Sequence, residues 1–230
     1  MRITLLLLLT LGILAACIMQ VRRTAAGNQP STAPSPTVAS TQRIDPMKVK
    51  TATFAAGCFW GVETSLRRVP GVISTQVGYT GGTTKSPTYQ NVCTDATGHA
   101  EAVRVTYDTT QVSYAELLDA FWTCHDPTTL NSQGPDFGTQ YRSAIFFHDA
   151  DQEKIARASL KEVEDSGIFK HKIVTEIVTT PTFYPGEEYH QQYFDKHGRA
   201  ESCHVGIATV HTKLAATAAA ARKAATRPAS

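Results

Sequence analysis

The sequence lacks the signatures of several common classes of protein. It has five cysteines but no Cys-x-x-Cys pair, and it has eight histidines but no His-Glu-x-x-His motif. Structural zinc sites usually draw on closely spaced cysteine pairs, so we expect no bound metal. Only 18% of the residues are charged whereas 42% are hydrophobic, a balance that is typical of globular proteins and argues against a disordered chain.

The chain also lacks the positive charge of a nucleic-acid-binding domain. Its formal net charge of +2 is a sum over unlike parts. Residues 1–47 hold four basic residues and one acidic residue, and residues 213–230 hold four basic residues and no acidic one. The stretch 48–212 holds 14 basic against 19 acidic residues, a net charge of −5. A domain with a net negative charge does not attract a phosphate backbone, so nucleic acid is not an expected partner.

No apolar run is long enough to span a bilayer comfortably, which takes about 20 residues. The longest run ends in Leu14-Ala15-Ala16-Cys17, and its core at 5–16 has the length of a signal-peptide core. The four residues resemble the lipobox of bacterial lipoproteins, in which the cysteine is lipidated. We therefore expect residues 1–19 to be a signal peptide, Cys17 to be the lipidation site, and the protein to face the periplasm of a bacterial cell envelope. Arg22 and Arg23 do not favour export, so a signal anchor or a secreted form remains an alternative.

Two flanking segments are expected to carry no chemistry. Residues 20–47 are rich in Pro, Ser, Thr and Ala and predict a flexible linker, and residues 213–230 form a low-complexity tail of Ala, Lys and Arg. The body between them, 48–212, is the predicted domain. Its length of about 165 residues is enough to bury roughly 70% of the surface of the unfolded chain, so it can build a core without disulfides.

Hydrophobic periodicity predicts an α+β fold for this body. The first six elements follow the order β-α-β-β-α-β, which predicts a two-layer ferredoxin-like core with an additional C-terminal helix, strand and coil. The capping box of Ser113 and Glu116 starts the second helix, and Gly167 ends the third. The predicted strands are 48–56, 71–79, 101–108, 142–148 and 173–180, and the predicted helices are 58–69, 113–124, 150–166 and 187–196.

The two segments 80–100 and 125–141 follow no periodic pattern. Long irregular connections inside a compact domain are usually functional, so we expect the site where these two segments meet.

Cys58 is the cysteine that is best placed for chemistry. It follows a predicted strand and Gly57 and begins a helix, where unpaired N–H groups and the positive end of the helix dipole favour a thiolate. The alternative is a structural cysteine at a strand–helix junction. Cys124 continues the apolar face of its helix and is expected to be buried, whereas Cys93 lies in the first irregular segment and Cys203 follows the last predicted helix.

Trp60 and Glu101 also stand in unusual positions. Trp60 falls outside the apolar stripe of its helix and is better explained as a pocket wall than as core packing. Phe59 fits either role. By alternation Glu101 shares the apolar face of Val103 and Val105, where burial would raise the pKa of its carboxyl group and suit it to donate a proton. The alternative is that the strand begins later and that Glu101 points to water.

Seven motifs resemble those of the peptide methionine sulfoxide reductase A family, in the same order, and the resemblance covers about residues 50–205. They are Gly57-Cys58-Phe59-Trp60-Gly61, Gly78-Tyr79-Thr80-Gly81-Gly82, Pro87-Thr88-Tyr89, Gly98-His99-Ala100-Glu101, His125-Asp126-Pro127-Thr128, Asp136-x-Gly138-x-Gln140-Tyr141-Arg142-Ser143 and Tyr189-His190-Gln191-Gln192-Tyr193.

The resemblance implies a thiol-dependent reduction of the S epimer of methionine sulfoxide, free or in proteins, with no bound cofactor. The thiolate of Cys58 would attack the sulfoxide sulfur while Glu101 protonates the oxygen, which leaves methionine and a sulfenic acid on Cys58. The other implied site residues are the oxygen-holding hydroxyls of Tyr89 and Tyr141, the supporting carboxylate of Asp136, and the walls of the S-methyl slot, Phe59 and Trp60.

A second thiol must then condense with the sulfenic acid, and Cys203 is our choice. Many members of the family end in a glycine-rich segment with two cysteines, whereas only Cys203 follows Cys124 here, so we expect a single resolving cysteine, with Cys93 as the alternative. Thioredoxin or an envelope thiol donor would reduce the disulfide. We expect a monomer that touches the membrane only through its N-terminal anchor.

Two other functions fit parts of the sequence. A cysteine hydrolase would pair Cys58 with His99 or His190 as base, but no papain-like or caspase-like signature surrounds Cys58. An envelope binding module would use the cysteines only for two disulfides, 58 with 203 and 93 with 124.

Overall fold

The structure is a computed structural model that describes residues 45–198. The predicted lipidation site Cys17, the linker up to residue 44, the predicted resolving Cys203 and the low-complexity tail lie outside the described residues. No helix between residues 45 and 198 is both long and apolar enough to cross a bilayer.

Strands and helices follow one another along the described chain with short connections. The strands are β1 (Val49–Ala56), β2 (Val72–Thr80), β3 (Ala100–Asp108), β4 (Ser132–Gln133), β5 (Asp136–Phe137), β6 (Ser143–Phe147), β7 (Glu176–Thr179) and β8 (Tyr184–Pro185). The helices are α1 (Phe59–Arg67), α2 (Tyr89–Val92), α3 (Tyr114–Thr123), α4 (Ala150–Asp165) and α5 (Tyr193–Lys196). Short 3-10 helices stand at Pro46–Lys48, Thr139–Tyr141 and Glu188–His190.

One six-stranded sheet has the order β7-β6-β1-β3-β2-β8, and β4 and β5 form a separate hairpin. The four inner strands β6, β1, β3 and β2 pair antiparallel throughout, which is the sheet of a ferredoxin-like β-α-β-β-α-β unit. The predicted α+β class is therefore confirmed. The edge strand β7 runs parallel to β6, and β8 pairs antiparallel with β2.

The core lies between the sheet and the helices packed on it. Phe54 on β1 stacks on Phe121 of α3 with ring centroids 5.4 Å apart, and Leu66 and Leu117 are fully buried. Each such side chain stabilises the fold by about 1.5–3 kcal/mol, so this cluster, rather than the two-residue strands, holds the domain together.

The local signals for helix ends are confirmed. The Ser113 side chain accepts a hydrogen bond from the backbone of Glu116, whose carboxylate in turn accepts one from the backbone N–H of Ser113. After α4, Gly167 adopts φ +62, the left-handed conformation that commonly ends a helix.

Three predictions need correction. The irregular segments contain α2 and the β4–β5 hairpin, which are too short to show a period. The predicted strand 173–180 is shorter and begins at Glu176. The predicted helix 187–196 is divided at Gln192, which has φ 54, because long-range hydrogen bonds to its backbone and to the side chain of Gln191 compete with helical geometry.

Candidate active site

The turn between β1 and α1 presents Cys58 at the start of a helix. Gly57 has φ +93, a backbone conformation that would be strained in a residue with a side chain. This conformation lets the chain reverse direction directly after the strand. Cys58 is the N-cap residue of α1, is partly exposed, and its carbonyl accepts hydrogen bonds from Gly61 and Val62. The predicted position of the thiol at a helix N-terminus is therefore confirmed, and it is one that favours a thiolate.

Glu101 is buried beside this same helix end. It is the second residue of β3, only 2% of it is exposed, and its Oε2 accepts a hydrogen bond from the backbone N–H of Phe59 at 2.9 Å. Burial raises the pKa of the carboxyl group well above its usual value, with Cys58 and Asp136 as further raising influences and the Phe59 bond opposing them. The predicted burial of Glu101 is confirmed, and the alternative of a carboxyl group pointing to water is wrong.

The two irregular segments do meet at this point, and they bring tyrosine hydroxyls to the carboxyl group. Tyr89 is the first residue of α2, and Tyr141 is the last residue of the second 3-10 helix. Burial raises the pKa of both phenols, and the carboxyl of Glu101 raises both further. Asp136 and Cys58 also raise the pKa of Tyr141, so this hydroxyl lies within electrostatic reach of the acid, the aspartate and the thiol.

A pair of hydrogen bonds that was not predicted from the sequence joins these two segments. Asp95, in the left-handed conformation at φ 64, accepts hydrogen bonds from the backbone N–H of Thr139, at 2.7 Å, and from its hydroxyl. Thr139 begins the 3-10 helix that ends at Tyr141, and Asp95 follows the helix that begins at Tyr89. The side chain of Asp95 thus caps the first helix turn from the opposite segment.

Aromatic side chains build the apolar side of the site. Phe59 is buried against Tyr79, with ring centroids 5.8 Å apart, and Trp60 is partly exposed next to it. Trp60 stacks on Tyr193 at 3.8 Å with an interplanar angle of 10°, and its indole N–H donates to Nδ1 of His190 at 3.0 Å. The interpretation of Trp60 as a pocket wall agrees with this setting.

The C-terminal segment contributes Glu187, which was not predicted as a site residue, and His190, which was predicted only as a base in the hydrolase alternative. The ring of His190 lies 4.5 Å from that of Tyr89 and 5.1 Å from that of Phe59. Glu187 accepts hydrogen bonds from the hydroxyl of Tyr79 and from the backbone N–H of Tyr89. Neither residue carries a periodic signal; His190 stands in the Tyr189–Tyr193 motif, whereas Glu187 lies outside the motifs.

Neither histidine of the hydrolase alternative is arranged as a base for Cys58. His99 accepts from the Gly82 N–H with Nδ1 and contacts the Thr84 carbonyl oxygen with Nε2 at 2.7 Å, so both of its nitrogens are engaged by backbone groups. Because Nδ1 of His190 accepts from Trp60, the neutral ring carries its proton on Nε2 and has no lone pair left. Burial lowers the pKa of His190 and keeps the ring neutral.

The remaining cysteines contradict the binding-module alternative. Cys93 and Cys124 both carry free thiols, so the expected disulfide between them is absent. Cys93 is exposed near Tyr89, whereas Cys124 is buried as predicted, and burial raises the pKa of its thiol to about 12. Among residues 45–198, no group of three or more His, Cys, Asp or Glu side chains is arranged to hold a metal ion.

Comparisons with known proteins agree with the family that the sequence motifs indicate. The family model described as peptide methionine sulfoxide reductase matches residues 50–223. A peptide methionine sulfoxide reductase MsrA from Methanoculleus marisnigri is 63% identical over 147 residues, which cover 64% of this chain and 90% of that protein. The corresponding protein from Geobacter sulfurreducens is 59% identical over 147 residues, covering 64% of this chain and 91% of that one.

Solved structures give the same answer for the fold. Reduced Mxr1 from Saccharomyces cerevisiae aligns with a TM-score of 0.64 and 39% identity over 71% of this chain and 94% of its own. Methionine sulfoxide reductase A of Corynebacterium diphtheriae aligns with a TM-score of 0.59 and 38% identity over 67% of this chain and 77% of its own. The match of the family model over most of the domain, together with these relatives, shows that the chain belongs to the peptide methionine sulfoxide reductase family.

Proposed function

We propose that this chain reduces the S epimer of methionine sulfoxide, free or in proteins, through a sulfenic acid on Cys58. Membership of the family supplies the general activity, a thiol-dependent reduction of methionine sulfoxide. The observation that carries the specific mechanism is the shared position of Cys58 and Glu101, since a thiol and a buried carboxyl group meet at the N-terminus of α1.

The first step needs both groups at once. Sulfoxide sulfur is a poor electrophile until its oxygen is protonated or strongly hydrogen-bonded. Glu101, whose raised pKa favours its protonated form, donates its proton to that oxygen, and Tyr89 and Tyr141 donate hydrogen bonds to it. The Cys58 thiolate attacks the sulfur, the S–O bond breaks, and the oxygen passes to Cys58. Methionine sulfur is thereby reduced by two electrons, and Cys58 is oxidised to a sulfenic acid.

The polar side and the apolar side of the site recognise different parts of the substrate. The raised phenol pKa values keep Tyr89 and Tyr141 protonated, so both hydroxyls can donate to the sulfoxide oxygen. Asp136, which acts electrostatically on Glu101 and Tyr141, supports the polar side and helps to keep the acid protonated. Phe59 and Trp60 offer an aromatic wall to the S-methyl group.

The second step regenerates the thiol. We propose Cys203 as the resolving residue, whose thiol condenses with the sulfenic acid to give a Cys58–Cys203 disulfide and water. The buried Cys124, with a thiol pKa of about 12, is unsuited to the step, which leaves Cys93 as the alternative. A thioredoxin-like protein or an envelope thiol donor then reduces the disulfide by thiol–disulfide exchange.

We further propose that the enzyme works in a bacterial cell envelope, with Cys17 as a lipid anchor. The support is the sequence alone, namely the apolar run that ends in Leu14-Ala15-Ala16-Cys17 and the linker that follows. In a bacterial host, Cys17→Ala should abolish metabolic labelling with a fatty acid. A mature protein whose labelling and detergent partitioning are unchanged by this substitution would favour a signal anchor instead.

The function is tested by an assay that resolves the two sulfoxide epimers. With dithiothreitol as reductant, the wild type should convert the S epimer of a blocked methionine sulfoxide and leave the R epimer. Cys58→Ser should lose this activity, because an alcohol at this position is not ionised at neutral pH. Activity that survives in Cys58→Ser, or a preference for the R epimer, contradicts the proposal.

A further inference from the structure

Besides Glu101 on β3, the domain has a buried carboxyl group on α1, Glu63, for which the proposed mechanism has no role. Glu63 follows Trp60 by about one helical turn and is only 1% exposed, although it belongs to the helix side that the sequence presents as polar. Its Oε1 accepts a hydrogen bond from the hydroxyl of Thr75 on β2 at 2.9 Å. Its Oε2 accepts one from the backbone N–H of Gln192 at 2.7 Å, across 129 positions of sequence.

The bond to Gln192 falls at the point where the C-terminal segment changes direction. Gln192 has φ 54 and ψ 40, a left-handed conformation that residues other than glycine adopt rarely. It separates the 3-10 helix that ends at His190 from α5, which begins at Tyr193. His190 and Tyr193 both hold Trp60, one by a hydrogen bond and one by ring stacking, and the ring of Phe194 also contacts it edge-on.

Other hydrogen bonds and an ion pair also fix the C-terminal segment, but they involve residues other than Gln192. The side chain of Gln191 bonds to the backbone of Val77 and Gly186, which fixes the residue before the turn. Arg67 pairs with Asp195 at 3.0 Å, but both side chains are more than a third exposed, so solvent weakens the pair. Glu63 alone among these binds the backbone of the left-handed residue itself.

We propose that Glu63 is a positioning residue for the S-methyl slot. By accepting the N–H of Gln192 it fixes the left-handed turn that sets His190 and Tyr193 against Trp60. The inference rests on the proposed function, because it assigns Glu63 to the wall of the same substrate pocket. It requires a hydrogen-bond acceptor at position 63, whereas a negative charge there is not required.

Substitutions at both ends of the bond test this role. Glu63→Met keeps much of the volume but removes the acceptor. Glu63→Gln keeps an acceptor for Gln192, and its amide can donate to the hydroxyl of Thr75. Gln192→Pro removes the donor and, because its ring holds φ near about −65°, also excludes the left-handed conformation, so it breaks the turn at an exposed position without touching the core. Gln192→Gly keeps the N–H and accepts the left-handed conformation readily. Asp195→Asn, which breaks only the exposed ion pair, is the matched control.

The expected result separates binding from chemistry. Glu63→Met and Gln192→Pro should raise KM for the sulfoxide by about tenfold or more while the maximal single-turnover rate stays within about threefold of wild type, because the slot and not the proton donor is disturbed. Glu63→Gln, Gln192→Gly and Asp195→Asn should keep the wild-type KM. In a Trp122→Phe background Trp60 is the remaining tryptophan, and its emission should shift to longer wavelength in the first two variants only.

Two outcomes would overturn the inference. One is a wild-type KM and emission spectrum in Gln192→Pro, which tests the turn that the bond is proposed to fix even if Glu63→Met fails to fold. The other is equal damage in Glu63→Met and Glu63→Gln, which would show that the charge matters and not the acceptor. Failure of the proposed function is distinct, because it would appear as a wild-type enzyme that does not reduce methionine S-sulfoxide.

Discussion

Two cysteines stand at opposite ends of helices that pack against the same core. Cys58 is the N-cap residue of α1, is partly exposed, and lies beside the carboxyl of Glu101. Cys124 is the C-cap residue of α3, where its thiol donates to the carbonyl of Phe121 at 3.2 Å and burial raises its pKa to about 12. The unpaired N–H groups of one helix end favour an anion, whereas the carbonyl groups of the other favour a proton donor. Burial together with the helix end therefore decides which of the two thiols is available for chemistry.

The comparison extends to the acid that shares the helix start with Cys58. Phe59 N–H already binds Glu101, so the end of α1 serves a carboxyl group as well as a thiol. Two adjacent anions would repel each other, and Cys58 is itself one of the influences that raise the pKa of Glu101. This arrangement supports the proposed pairing of one nucleophile with one proton donor, the combination that sulfoxide reduction needs.

The largest effect on turnover is expected from Cys203→Ser, which adds a third cysteine to the comparison. With thioredoxin as reductant this variant should release about one methionine per enzyme and then stall, because the sulfenic acid on Cys58 has no partner thiol. Quenched-flow measurement of methionine, with Cys93→Ser as the matched control, checks this. If Cys203→Ser continued to turn over and Cys93→Ser stalled instead, the resolving step would be assigned to Cys93.

The largest effect on the chemical step is expected from Glu101→Gln. The amide cannot donate a proton to the sulfoxide oxygen as an acid does, so the single-turnover rate should fall by about 100-fold or more. Rapid-quench measurement without added reductant isolates this step. An unchanged rate would show that Glu101 is not the acid. The reactivity of Cys58 would then depend on its position at the helix N-terminus alone.

A smaller effect is expected from the hydroxyls that surround the acid. Tyr141→Phe removes one hydrogen bond to the sulfoxide oxygen, while Tyr89 keeps the other, so the single-turnover rate should fall by roughly tenfold, about the worth of one hydrogen bond. Tyr89→Phe should behave alike. If Tyr141→Phe matched Glu101→Gln in size, the tyrosine rather than the glutamate would be the main source of polarisation.

The smallest effect is expected at the other helix end. Cys124→Ser should change the single-turnover rate by less than about twofold while lowering the free energy of unfolding by about 1 kcal/mol, as urea denaturation would show. A substantial loss of rate in this variant would mean that burial and position do not separate the two thiols.

Sequence periodicity was sufficient for the core and for one part of the site. The order β-α-β-β-α-β, the capping box at Ser113 and the helix stop at Gly167 all depend on local patterns, and these were confirmed. The burial of Glu101 also followed from a local pattern, the alternation of β3.

The rest depends on contacts between distant parts of the chain. Glu63 reads as a polar surface residue on α1, and it is buried because Gln192 meets it from 129 positions away. The bond between Trp60 and His190 spans 130 positions, and no period in either segment signals it. The strands β4, β5 and β8 have two residues each, which is too few to establish an alternation.

The central claim, that the Cys58 thiolate works beside a protonated Glu101, is tested most directly by the pH dependence of the single-turnover rate. Because burial raises the pKa of Glu101, its carboxyl group keeps the proton to a higher pH than an exposed glutamate does and loses it as the pH rises through that pKa, so the wild-type rate should decline on the alkaline side. Glu101→Gln should be slow and should lack this alkaline decline. The same alkaline decline in both proteins would contradict the account.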